Sequence, residues 1–238
     1  MTQELDQLID LDDPAWPLVQ EWLASASNAV VVLPPSEPGR SATLLDLQIS
    51  TQSTLGSIAY ETGGLLVDNG WLRILGSGHQ RLTRSVTEWN KAVWGDEDED
   101  YPFYLIADDV IGGFYALDSG ILGNAESVFY YSPDTLEWED TDQGYTDFID
   151  FCFNGDLQKY YGSMRWKTWK EDVVLLTGDQ AVSVVPPLAF TLEPDLDPID
   201  ARERTVVSVY ELYDFHVLHL PNQLHGNEDE EDLNPPTA

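Results

Sequence analysis

Two adjacent carboxylates, Asp108 and Asp109, close an apolar run that begins at Phe103, and acids at a strand end can ligate a metal or act as a general base. A second acidic pair, Glu137 and Glu139, flanks Trp138. Two carboxylates beside an aromatic ring have the parts of a glycosidase acid–base pair with a sugar platform. These five residues, Asp108, Asp109, Glu137, Trp138 and Glu139, form the candidate binding set, and none qualifies as a catalyst on sequence grounds. Each also has a plainer role. Neighbouring strand residues point to opposite faces, so one of Asp108 and Asp109 is expected to cap the turn that follows. If the pair diverges in this way, Asp108→Ala costs about 1 kcal/mol at most, as for a lost cap. Glu137 and Glu139 fit a half-exposed strand that turns Trp138 into the core.

The remaining reactive residue types give no pattern. His79, His216, His219 and His225 form neither HExxH nor a zinc set with the single cysteine. His216 and His219 fall in a stretch read as extended, Tyr213 to Leu220, where residues three apart face opposite ways. GxSxG, a Walker loop and a strand followed by GxGxxG are all missing, and Gly76-Ser77-Gly78 is too short to cradle phosphate. No metal or cofactor is expected. Cys152 lies between Phe151 and Phe153 and reads as a small buried hydrophobe, and a lone cysteine excludes an intramolecular disulfide.

Charge narrows the partners. The 238 residues include 43 acidic and 11 basic side chains, a formal net charge of -32. Such a field repels nucleic acid and anionic lipid, so neither nucleic-acid nor membrane binding is expected. It keeps a protein soluble and accelerates encounter with a basic protein partner. The N-terminal MTQELDQLIDLDD lacks the basic start and apolar run of a signal peptide, and no segment reaches the roughly 20 apolar residues of a membrane span. A cytoplasmic location is the expectation.

The elements that must position these residues follow from hydrophobic period and punctuation. Asp13-Pro14 opens a helix with Trp16, Val19, Trp22 and Leu23 on one face. Ala29 to Leu33 is a short strand before Pro34-Pro35, Ser36 to Ser41 a turn, and Ser53 or Thr51 a cap for a helix through Leu55 and Ile58. Asp68-Asn69-Gly70 joins two apolar runs as a hairpin. The sequence from His79 to Trp94 has helical spacing, with Arg81, Arg84 and Lys91 off its apolar face, and the DEDED run at 96–100 is a solvated loop. Strands at Phe103 to Ala107, Phe114 to Leu117, Ser127 to Tyr131 and Leu136 to Asp140 make a meander, followed by a helix through Phe148 and Cys152. Trp166 to Leu176 is read as helical, Ala181 to Val185 and Thr205 to Val209 as strands, Glu193 to Asp200 as a linker-like loop, and 227–238 as a disordered acidic tail.

The fold class is therefore α+β, a central antiparallel sheet around Phe103 to Asp140 covered by helices near Trp16, Leu55, Trp89 and Phe148. A single domain over 1–185 is expected, with a C-terminal extension over 186–226 packing on or beside it.

The blocks Ala59-Tyr60-Glu61-Thr62-Gly63-Gly64, Gly70 to Gly76 (GWLRILG), Ile106 to Asp118 (IADDVIGGFYALD) and Leu136 to Phe148 (LEWEDTDQGYTDF), in this order, resemble a bacterial family of unknown function. That family brings no activity with it. The order of elements, with Asp108 to Leu117 and Phe148 to Cys152, also resembles the SMI1/KNR4-like (SUKH) superfamily. This second resemblance implies a SUKH-like sheet and an immunity-type protein that neutralises a toxin by binding it. The functional expectation is a non-enzymatic protein-binding or immunity-type module. The competing expectation is a small-ligand binder or hydrolase-type enzyme using the acids around Asp108, Asp109 and Glu137, which requires those side chains to converge.

Overall fold

The computed structural model describes residues 2–95, 101–190 and 198–226. The acidic run at 96–100, most of the 193–200 loop and the 227–238 tail lie outside the described residues. Seven strands, β1 (Val30–Leu33), β2 (Gly64–Val67), β3 (Leu72–Leu75), β4 (Phe103–Asp109), β5 (Phe114–Asp118), β6 (Ser127–Tyr131) and β7 (Trp138–Gly144), form one antiparallel sheet whose spatial order is the chain order. The sheet expected around Phe103 to Asp140 is thus present, and β1 to β3 extend it. β8 (Gln180–Val185) and β9 (Glu203–Ser208) make a separate antiparallel pair. The helices are α1 (Leu5–Leu8), α2 (Trp16–Ser25), α3 (Glu37–Leu47), α4 (Thr54–Glu61), α5 (Val86–Trp94), α6 (Tyr145–Asn154), α7 (Leu157–Tyr160), α8 (Trp169–Val173), α9 (Val209–Tyr213) and α10 (Leu220–Gly226).

Alternation along the strands gives the sheet two apolar faces. One carries Leu65, Val67, Leu72, Ile74, Tyr115 and Tyr130 and is packed by Val19 of α2, Ile58 of α4 and Phe148 of α6. The other carries Leu66, Leu75, Leu105, Phe114, Ala116 and Tyr131 and is packed by Trp89 of α5 with Val209 and Leu212 of α9. A sheet buried on both faces reads as continuous apolar runs, and β2 and β3 are buried at every position. Each large apolar side chain taken fully out of water contributes about 1.5–3 kcal/mol.

Several boundaries differ from the sequence expectation. Helix α2 begins at Trp16 with Pro17 in its first turn, so Asp13 is not its cap. Ser36 to Ser41 is the start of α3, because the Ser36 hydroxyl accepts from Gly39 N and Pro38 is tolerated in a first turn. The helix expected from His79 forms only from Val86, where Ser85 and Glu88 make a reciprocal capping box. Helical spacing from Trp166 to Leu176 resolves into only the short α8. The stretch Tyr213 to Leu220, read as extended, is helical: α9 runs through a π-helical turn at Asp214–His219 into α10. Ser208 and Glu211 box that helix at its start.

Candidate functional site

The two adjacent aspartates do diverge. Asp108 faces the α5/α9 side, where Arg73 stands opposite it in the β3–β4 register and pairs with its carboxylate. Arg84 pairs with the same carboxylate at 2.6 Å and with Asp179 at 3.0 Å. Both guanidiniums are almost wholly buried, and backbone carbonyls complete their shells: Arg73 donates to Gln180 O at 2.5 Å and Asp109 O at 2.7 Å, and Arg84 to Gly178 O at 2.7 Å. Burial opposes both positive charges. It prevails at Arg73, whose pKa is lowered, whereas Asp108 and Asp109 only partly offset it. At Arg84 the carboxylates of Asp108 and Asp179 outweigh burial and raise the pKa. Asp108 is therefore neither a turn cap nor an open carboxylate; it is the shared anion of a buried ion network. Arg84, expected on the outer face of a helix, is interior because 79–85 is a turn folded under Asp179, whose carboxylate also accepts from Thr83 N at 2.7 Å.

Asp109 is the residue that caps the turn. Its Oδ1 accepts from the backbone N–H groups of Ile111 at 3.0 Å and Gly113 at 2.8 Å, and its Oδ2 accepts from the Tyr130 hydroxyl at 2.8 Å. Burial raises its pKa, opposed by the donors from Gly113 and Tyr130. Gly113 makes the arrangement possible, since a Cβ there would stand 2.2 Å from the Tyr130 hydroxyl and 2.3 Å from Asp109 Oδ2. Beyond Tyr130 lies a cluster of phenols in which Tyr115 and Tyr161 share a hydrogen bond at 2.7 Å. Burial, then the neighbouring phenols and Asp109, hold Tyr115 protonated far above neutral pH.

This cluster backs a pocket of about 190 Å³ between β5–β7 and α6–α7. Its deep residues are Tyr115, Tyr130 and Phe148, all buried, and Phe151 and Tyr160 form the partly exposed side. Glu139 and Asp140 stand exposed at its rim with Thr141 and Gln143. The rim is shaped by a β-bulge: Val128 pairs with Gln143 while the next residue, Phe129, pairs with Asp140. The Asp140 carboxylate is fixed there by Ser127, by Asn124 and by Asp142 N, and these donors, the Ser127 hydroxyl first, keep its pKa below the usual carboxylate range.

Of the five candidates, only Glu139 lines this pocket, with Asp109 behind it through Tyr130. Trp138 faces the other side, half-buried on Phe103 and Tyr131 with centroids 4.7 and 5.2 Å away. Glu137 precedes β7 and is exposed, so it does not share a strand face with Glu139. Asp108 lies across the sheet. Sequence reasoning missed Arg73, Arg84 and Asp179 as a network and Tyr130, Tyr160 and Phe151 as pocket walls. The usable signals were one arginine in an otherwise apolar strand and the doublets Tyr130-Tyr131 and Tyr160-Tyr161.

Cys152 is buried and burial pushes its thiol well above the ordinary range. His216 sits in the π-helical turn, buried, with Nδ1 donating to Gly112 O at 3.0 Å because a carbonyl only accepts; His219 is exposed one turn on. Among the described residues no three His, Cys, Asp or Glu side chains are grouped to hold a metal, and no helix is long and apolar enough to cross a membrane.

A seven-stranded antiparallel meander with helices on both faces, a buried arginine–aspartate network on one side and an acidic aromatic pocket on the other defines the molecule as an α+β protein. The chain belongs to the family described as "Protein of unknown function DUF2625", which it matches over residues 5–212. It is similar to the uncharacterized protein YbfG of Escherichia coli K12, 39% identical over 213 residues that cover 89% of this chain and 94% of the relative. It is also similar to an uncharacterized protein of Haemophilus influenzae, 37% identical over 214 residues, with 87% and 90% covered.

Proposed function

We propose that the protein is a non-enzymatic binding module for a basic protein partner. The observation that carries this reading is the sign of its surface. The chain has 43 acidic against 11 basic residues, and among the described residues the buried charges nearly balance, Arg73, Arg84, Arg165 and Arg202 against Asp108, Asp109 and Asp118, so the acidic excess lies outside. A strongly negative surface repels polyanions and draws in a cationic partner at an accelerated rate. The immunity-type role implied by the SUKH resemblance is one form of this proposal. The enzyme reading needs Asp108, Asp109, Glu137 and Trp138 to converge, and their placement on opposite faces and outside the strand argues against it.

Titration calorimetry of the purified protein with the product of the neighbouring gene, and with a nona-arginine peptide, tests the proposal at about 50 and 500 mM salt. Binding that weakens steeply with salt is expected. No association with either, or an affinity indifferent to salt, would overturn it.

A further inference from the structure

We infer that the pocket between β5–β7 and α6–α7 receives an arginine side chain of that basic partner; this rests on the reading above and assigns it a site. The walls are the first argument. Tyr115 and Tyr130 lie 4.6 Å apart by ring centroid, Tyr130 and Tyr160 5.7 Å, and Phe151 and Tyr160 5.2 Å at 70°, so successive rings turn around the cavity. Aromatic faces attract cations, and a planar guanidinium stacks on them better than an ammonium does.

Charge is the second. Glu139 and Asp140 stand at the mouth, none of the lining residues is basic, and the Asp109 carboxylate sits behind Tyr130. A phenol that donates to a carboxylate gains electron density in its ring, which deepens the negative face a cation meets. The phenols stay protonated through neutral pH, Tyr130 and Tyr161 because of burial first and then Asp109, so the walls remain neutral rings within a negative field.

The third argument is that the molecule already builds this recognition internally. Arg165 places its guanidinium over Trp169 at 4.1 Å, Trp71 at 4.9 Å and Tyr161 at 5.2 Å, and pairs with Asp68 at 2.7 Å. Rings around a guanidinium with one carboxylate at its edge are the parts that the pocket offers. The two assemblies stand back to back, since Tyr160 and Tyr161 touch edge-to-face at 4.9 Å. One holds an arginine of the same chain, and the other faces outward.

The test uses the full chain labelled for NMR, titrated with an acetylated Gly-Gly-Arg-Gly-Gly amide and with the same peptide carrying neutral citrulline. The arginine peptide is expected to shift the amides of Thr141, Gln143 and Phe151 and to bind about tenfold tighter than the citrulline peptide. Glu139→Gln, at an exposed position, should weaken it severalfold, and Tyr160→Leu should do the same by removing a wall. Glu37→Gln deletes an equal charge on α3 and should change nothing. Should Tyr160→Leu fail to fold, Glu139→Gln against Glu37→Gln decides alone. Equal binding of the citrulline peptide overturns the inference. So does nona-arginine binding that shifts other residues or weakens equally in both glutamate variants, and either result leaves the acidic-surface proposal standing. No binding of the arginine peptide also overturns the inference, and if nona-arginine and the neighbouring-gene product fail to bind as well, both fall.

Discussion

Asp108 gains its importance from what surrounds it. Arg73 and Arg84 approach the same buried carboxylate, and each guanidinium's charge works against the other's. Removing the shared anion leaves Arg73 without its ion pair and Arg84 with Asp179 alone, and breaking a buried pair in this way costs about 3–5 kcal/mol. Asp108→Asn keeps the shape and deletes the charge, so urea unfolding should show a loss of that size. A loss near 1 kcal/mol, as for a missing cap, would show the network to be energetically idle. Part of this was legible in the sequence. Arg73 interrupts the run Trp71 to Leu75, and a strand buried on both faces must supply its charge with a partner. The partner was hidden because β3 and β4 are separated by α5, so their register follows from packing and not from a short turn. The divergence of Asp108 and Asp109, in contrast, needed only the period of a strand.

The strands were readable because period-two alternation and Gly- or Asn-bearing turns agree along most of the sheet, whereas the C-terminal helix was not. From α9 to α10 the π-helical turn at Asp214–His219 widens the winding and displaces the apolar residues from a 3.6-residue period, so Phe215, Val217 and Leu218 imitate a strand. That turn carries His216 against Gly112, whose positive φ of 88° and close approach leave no room for a Cβ. Burial holds the imidazole pKa below 6.5, opposed by its bond to Gly112. The folded state thus takes up the proton less readily than the unfolded chain. The contribution to stability is complete above about pH 6.5 and declines as pH falls from there toward the lowered folded value. The melting temperature should drop between about pH 7.5 and 5.5 in the parent protein and drop less in His216→Gln. An unchanged pH slope in the variant would remove His216 as the cause.

At the scale of the whole molecule, a net charge of -32 sets carboxylates against one another across the surface. The screening length shortens from about 30 Å at 10 mM salt to about 8 Å at 150 mM, so the melting temperature should rise over that range. A flat or falling trend would mean that local ion pairs, such as Lys91–Asp46, outweigh the global repulsion. The buried network has a different reach. Its donors Arg73 and Arg84 lie on or just after β3, while its acceptors Gly178, Asp179 and Gln180 come 94 to 107 residues later. The meander pairs each strand with its sequence neighbour; the β2–β3, β4–β5, β5–β6 and β6–β7 joins are short, whereas α3 and α4 lie between β1 and β2 and α5 between β3 and β4. During synthesis, which proceeds from the N-terminus, Asp108 emerges well before the 178–180 segment, so both guanidiniums lack part of their native partners until that segment leaves the ribosome. Completing this network is therefore expected late for a nascent chain, and slowing synthesis between Arg84 and Asp179 should prolong the exposure of the sheet face that α9 covers.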